Sequence, residues 1–297
     1  MGNKTKIDWC DATWNPVTGC LHGCEYCYAR RIAERFRARE IYDPECECQR
    51  HLIERGMLKG TGKPLELDYP WEQRNKDGSI TNAAYPFGFE PTFHRYKLDE
   101  PQHWKKPRTI FVCSMADLFG DWVPDEWIAE VFKACDAAPW HRYIFLTKNP
   151  KRLCRMAIAT KVFLWNVDHP DSQVHPKTEE YVEVMRLPIR DNWWFGSSLD
   201  NADARRFDGG FNWNTFTSIE PLMEHMQMGI GSFGSDRWTI IGAETGKRKN
   251  KVIPERAWID NILEAAAFTG VKVFMKESLR ELMGADFRQE VPWEVTK

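Results

Sequence analysis

The sequence predicts an α/β protein, a partial or complete (β/α) barrel with a long irregular insertion. Three observations carry that expectation. Short apolar runs alternate with helical segments from residue 109 onward, polar residues recur just past the ends of successive runs, and residues 41–107 lose hydrophobic periodicity.

The first part of the chain reads as an extended arm or short strand from Thr13 to Thr18, a cysteine-rich loop, and a helix from Ala29 to Arg39. Ala29, Ile32, Ala33 and Phe36 recur at helical spacing and predict a buried stripe, with Arg31, Arg35 and Arg39 one turn apart on the other side. Between Ile41 and Pro107 the chain is broken by Pro44, Gly56, Gly60, Gly62, Pro64, Pro70, Gly78, Pro86, Gly88 and Pro91, with one helix expected near Arg50 to Leu58. A stretch of that length inside a compact domain points to a lid or substrate-specific insertion. The whole of 1–297 reads as one domain containing it.

Beyond the insertion, strands are predicted over Thr109 to Cys113, Tyr143 to Leu146, Trp193 to Gly196, Thr215 to Ile219, Trp238 to Ile241 and Val271 to Met275. Helices are predicted over Asp125 to Ala137, after Pro150, over Thr178 to Leu187, and over Pro254 to Phe268 with Gly270 past its end. Such alternation builds parallel βαβ units, and strand positions alone fit an open doubly wound sheet as well as a barrel. The polar residues past the strand ends are Ser114 and Asp117, Thr147 and Lys148, Ser197 and Ser198, Glu220, Glu244, then Lys276 and Glu277. In parallel α/β folds that edge forms the site; each residue also has a plainer reading as a cap for the next helix.

Composition excludes little. A net charge of -2 argues against a generic basic nucleic-acid coat and leaves room for a local positive patch. No run approaches the ~18 continuous apolar residues of a membrane span, and no apolar leader follows Met1, so a soluble cytoplasmic protein is expected. Nine cysteines in 297 residues are too few for a disulfide scaffold. Cys113, Cys135 and Cys154 lie in or beside apolar elements and read as buried small hydrophobes.

The densest chemistry lies in Cys20-Leu21-His22-Gly23-Cys24-Glu25-Tyr26-Cys27. Three thiols spaced C-x3-C-x2-C suit an iron-sulfur cluster or zinc, and Gly19 and Gly23 would let the backbone wrap closely around either. Structural zinc prefers four ligands in paired units, and the nearby pair is Cys46 and Cys48, with one residue between them. Those two cysteines would ligate a second metal with Cys10 or His51, serve as thiol hydrogen donors, or be incidental.

The three-cysteine motif, with aromatic Tyr26 before its last thiol, resembles that of the radical S-adenosylmethionine superfamily. Trp14-Asn15-Pro16-Val17-Thr18-Gly19-Cys20, Cys113-Ser114-Met115-Ala116-Asp117-Leu118-Phe119, Phe145-Leu146-Thr147-Lys148-Asn149-Pro150, Ser218-Ile219-Glu220-Pro221-Leu222 and Ile241-Gly242-Ala243-Glu244-Thr245-Gly246 look more specifically like a radical-SAM-like family of phages and bacteria. The resemblance implies a barrel of the radical SAM type. In it Cys20, Cys24 and Cys27 bind three irons of a [4Fe-4S] cluster, and S-adenosylmethionine chelates the fourth. Tyr26 would lie against the adenine. Reduction by a one-electron donor such as flavodoxin or ferredoxin would cleave the cosubstrate to a 5′-deoxyadenosyl radical that abstracts hydrogen from substrate.

The superfamily's glycine-glycine-glutamate stretch is missing, and Ser114-Met115-Ala116-Asp117 stands in its place. Amine recognition would then fall to Ser114 or Asp117. Ser197, Ser198 and Lys148 are candidates for ribose or carboxylate contacts, and Glu220 and Glu244 complete the expected cofactor-binding set. Lys247, Arg248, Lys249 and Lys251 form a basic loop suited to phosphate, with solvated surface charge as the alternative. Arg30, Arg31, Arg35, Arg37 and Arg39 would extend it, and Trp71, Tyr85, Phe87, Phe89 and Phe93 would stack on bases. The superfamily includes a DNA repair lyase, so DNA or a nucleotide, in repair or modification, is the expected substrate. A peptide or small metabolite is the alternative, as is a non-enzymatic, metal-stabilised nucleic-acid-binding protein.

Overall fold

A computed structural model describes residues 5–38, 65–75, 77–158, 162–163, 181–182, 186–210, 212–246 and 248–294. Seven parallel strands form the main sheet: β1 Ala12–Trp14, β2 Thr109–Val112, β3 Arg142–Thr147, β4 Trp193–Ser198, β5 Asn214–Ile219, β6 Trp238–Ile241 and β7 Lys272–Met275. Their spatial order is their chain order, every neighbouring pair is parallel, and β1 and β7 are the two edges. A doubly wound sheet reverses its order at a switch point. Here there is no reversal, so right-handed crossovers fall on one face and the sheet curls toward the other. The result is an incompletely closed half-barrel. Across the open seam the backbone N–H of Glu277, past β7, lies 3.4 Å from the carboxylate of Asp8, ahead of β1.

The alternation of each strand separates two cores. Phe111, Ile144, Trp194, Phe216, Trp238, Ile240 and Phe274 point into the half-barrel with Trp9, and Trp293 packs against them. On the outer face, Ile110, Val112, Tyr143, Phe145, Trp193 and Phe195 meet Trp127, Ile128, Val131, Phe132 and Cys135. These last five belong to helix Asp125–Asp136. Ile219, Ile241, Val273 and Met275 meet Ile259, Ile262, Ala265 and Ala266 of helix Arg256–Thr269, which ends on Gly270 at φ 73°. Strands buried on both faces explain the nearly continuous apolar runs. Cys113 and Cys135 are buried, and burial pushes the Cys113 thiol up to about 12.

Several expected elements differ. The first helix spans Tyr28–Arg35 rather than reaching residue 39, and it buries Ala29 and Ala33 while Ile32 and Phe36 stay exposed. No helix is found within the described part of 178–187; Tyr181–Val182 is a strand paired with Val162–Phe163. Among the described residues no helix links β4 to β5 or β5 to β6. The insertion also carries regular structure. Leu65–Leu67 runs parallel to Thr92–His94, which pairs antiparallel with Val17–Thr18, and Glu72–Arg74 forms a hairpin with Ile80–Asn82. Trp71 and Phe87 are buried within the insertion, Phe93 is buried in the main core against Trp127, and Phe89 is buried against Ala29 and Ala33 of the first helix, so these rings serve packing and are not exposed platforms for bases. The expected helix at 50–58, Cys46, Cys48, His51, Arg39 and Lys247 lie outside the described residues. No helix among the described residues is long and apolar enough to cross a membrane.

Candidate functional site

A cavity of about 490 Å3 opens at the carboxyl edge of the sheet. Its wall is contributed strand by strand: Ser114 after β2, Thr147 and Lys148 at β3, Ser198 at β4, Ser218 and Glu220 at β5, Ala243 to Thr245 after β6, and Lys276 after β7. Trp9, Phe111 and Leu146 give it an apolar side, and the thiol loop closes over it with Cys20, His22, Cys24, Tyr26 and Cys27.

The loop is shaped by backbone constraints. Gly19 has φ 86°, and a Cβ there would fall 2.2 Å from the Glu90 carbonyl oxygen. Its N–H donates to Met115 O at 2.9 Å, and Cys20 N–H to Phe89 O at 3.2 Å. Gly23 turns the loop again at φ 74°. Cys27 then caps the following helix, its Sγ accepting the Arg30 N–H at 3.3 Å. All three motif thiols are unpaired and half-buried. Burial pushes the Cys20 thiol up to about 12, and Asp117, Cys24 and Cys27 add to the rise. Soft-metal binding would displace that proton.

Two polar devices hold the loop to the barrel. Asp117 accepts Phe119 N–H at 3.0 Å and the Thr147 hydroxyl at 2.7 Å on one oxygen. The other accepts Lys148 N–H at 2.8 Å and lies 2.7 Å from His22 Nε2. Tyr26 donates its hydroxyl to Asp200, and Lys148 Nζ lies 2.8 Å from both the Tyr26 oxygen and Asp200 Oδ2. Burial, then the Asp200 carboxylate, raises the Tyr26 hydroxyl well above its ordinary range. For Asp200, burial acts upward, but the bonds from Lys148 and Tyr26 outweigh it and the carboxyl is lowered.

Tyr26, Ser114, Asp117, Lys148, Ser198, Glu220 and Glu244 therefore share the cavity with the three thiols. Ser197 does not: adjacent strand residues face opposite ways, and its Oγ accepts Phe207 N–H at 2.7 Å. Asp117 lines the cavity with four donors already on it. Glu244 is likewise engaged, by both arms of Arg248 at 2.7 Å and by Val252 N–H at 3.2 Å. Arg248 is thus held by Glu244, Lys249 and Lys251 are exposed, and none of the three lines the cavity. Sequence reasoning missed His22, inside the motif itself, Asp200, just past β4, and Asn15, whose Oδ1 accepts the Ser114 hydroxyl at 3.1 Å and Met115 N–H at 2.9 Å. It recognised Lys276 as a strand-end residue without giving it a role.

Among the described residues no three His, Cys, Asp or Glu side chains close on the position of a single metal ion. The donor chemistry nonetheless fits an iron-sulfur cluster: three thiols on one cavity wall, in a loop whose first turn has no room for a side chain at Gly19.

Comparison with curated proteins and with solved structures returned no match. Residues 4–280 match the family described as Protein of unknown function (DUF5131), and the chain belongs to that family.

Proposed function

We propose that this protein is a radical S-adenosylmethionine enzyme, with Cys20, Cys24 and Cys27 holding a [4Fe-4S] cluster and the adjoining cavity receiving the cosubstrate. One observation carries the reading: the three motif thiols and Tyr26 open together on a cavity at the carboxyl edge of an unclosed parallel barrel. When bound, the cluster and S-adenosylmethionine supply a one-electron route to hydrogen abstraction from an unactivated position.

The chain's own residues bind, orient and exclude. Lys148 and Asp200 fix Tyr26, and with it the loop segment between Cys24 and Cys27. The Ser198 and Ser218 hydroxyls face the cavity and suit ribose or similar hydroxyls. Trp9, Phe111 and Leu146 keep water from the apolar side. Asp117 and Glu244 organise neighbouring loops, their oxygens being occupied by protein donors. A flavodoxin- or ferredoxin-like reductant would supply the electron.

For the substrate, of the described features first read as a nucleic-acid track, Phe89 alone lines the cavity. Arg248 is bound by Glu244, and four of the five aromatics are buried. That favours a small molecule over DNA.

The test is anaerobic reconstitution followed by iron and sulfide analysis, then dithionite and S-adenosylmethionine with 5′-deoxyadenosine as readout. Cluster-dependent 5′-deoxyadenosine, lost in Cys24→Ala, is the expected result. Bound zinc would overturn it and leave the metal-stabilised binding protein as the reading, and cleavage that survives Cys24→Ala would overturn the assignment of the cluster to these thiols.

A further inference from the structure

The cavity contains a second charged couple, on strands remote from the thiol loop's anchors. Lys276 Nζ lies 2.5 Å from Glu220 Oε1, and both side chains are about three-quarters buried, at 21% and 27% exposure. The two residues come from β5 and β7 and meet over the end of β6. Gly242 lies beneath the pair, where a Cβ would crowd it at 3.1 Å from both Glu220 Cγ and Lys276 Cδ.

The couple differs from every other acidic group on the cavity wall in its unused capacity. Asp117 has four partners and Glu244 three. Glu220 makes a single hydrogen bond among the described residues, leaving Oε2 open, and Lys276 uses one of its three donors. An acceptor and a cationic donor therefore stand side by side, unsaturated, facing a space large enough for a small molecule.

We infer that Glu220 and Lys276 are the recognition pole for a substrate that presents an α-ammonium and an α-carboxylate, a free amino acid. The electrostatics select that class. A ligand of one charge would engage one member of the pair and leave the free positions of the other without a partner in a half-buried site. A zwitterion supplies both signs: its carboxylate takes the free donors of Lys276, its ammonium takes Glu220 Oε2, and the internal pair is kept at no change in net charge. A site built on two such bonds rejects analogues lacking either group. That the bound molecule is the one modified rests on the radical reading above; its binding does not.

The test uses the full chain as purified under nitrogen. The common L-amino acids, at millimolar concentration, are screened by thermal shift and binders are titrated by calorimetry. At least one is expected to bind, while its N-acetyl and carboxamide counterparts, each lacking one charge, are not. Glu220→Gln and Lys276→Gln should each weaken binding about tenfold or more, the loss of one charge-assisted bond. If either fails to fold, the double exchange Glu220→Lys with Lys276→Glu keeps an internal pair but reverses the polarity offered, and should weaken binding likewise.

S-adenosylhomocysteine provides the distinguishing arm, because its amino-acid end carries the same charges. It should bind together with the amino acid. Displacement of one by the other would assign the pole to the cosubstrate and overturn the inference. So would the absence of any amino-acid binder, equal binding of the blocked counterparts, or indifference to the substitutions. If S-adenosylhomocysteine fails to bind while the amino acid does, the radical reading is weakened and the pole stands.

Discussion

His22 Nε2 lies 2.7 Å from Asp117 Oδ2, and through that contact the thiol loop is tied to the ends of β2 and β3. Asp117 is 5% exposed and also serves Phe119 N–H, the Thr147 hydroxyl and Lys148 N–H. Asp117→Ala would strand those donors in the interior and should lower unfolding free energy by about 3 kcal/mol or more. Asp117→Asn keeps one accepting oxygen and should cost less. Urea unfolding of both variants checks the order, and equal, small losses would show that the carboxylate is not the hub.

The two loop glycines make a matched pair. Both have positive φ, but a Cβ at Gly19 would collide with Glu90 O at 2.2 Å, whereas a Cβ at Gly23 meets nothing within 4 Å. Gly23→Ala should therefore cost about 1–2 kcal/mol, the left-handed penalty alone. Gly19→Ala should cost that plus a backbone displacement, several kcal/mol in all. Thermal melts of the two variants decide, with comparable losses contradicting the close approach.

What could be read without coordinates divides by range of interaction. Trp238–Ile241 was expected as a strand and is one to the residue, because a short apolar run between turns is a local signal. The site edge was also legible, since Lys148, Glu220 and Glu244 follow strand ends and Ser198 is the last residue of its strand. What each carboxylate does there was not: Glu244 is consumed by Arg248 and Asp117 by four donors, facts of packing that no spacing encodes. Ser197 and Ser198 were separable in principle, because pleating sends neighbours to opposite faces. The strand Leu65–Leu67 escaped notice because its partner, Thr92–His94, is distant in sequence and gives no local periodicity to find.

That small sheet carries a pH sensitivity. His94 is fully buried beside the Thr18 hydroxyl at 2.9 Å, and burial, with Lys97 adding to it, lowers its pKa to about 3. The unfolded chain takes up this proton near pH 6.5 and the folded chain does not. The contribution is whole above pH 6.5 and is lost as pH falls toward 3, on the order of 5 kcal/mol over that window. His94→Gln should give a shallower decline in urea midpoint between pH 7 and pH 4 than the native chain. Parallel declines would place the sensitivity elsewhere.

Tyr26, Lys148 and Asp200 form a closed triangle, so removing one member leaves the other two bonded. Tyr26→Phe keeps the Lys148–Asp200 pair and should cost about 2 kcal/mol, the two hydrogen bonds of the hydroxyl. Lys148→Met keeps the Tyr26–Asp200 bond and loses the cation beside a half-buried carboxylate. If the three act as one latch, the double variant should depart from additivity by about 1 kcal/mol in urea unfolding, whereas independent groups would add. The Tyr26 hydroxyl is held well above neutrality by burial and Asp200, so it donates a hydrogen bond without giving up its proton. Its contribution is therefore to loop register, and Tyr26→Phe should lower iron retention after reconstitution while leaving the shape of any pH–activity profile unchanged. A profile that loses a limb in Tyr26→Phe would instead make the hydroxyl a proton donor in the reaction.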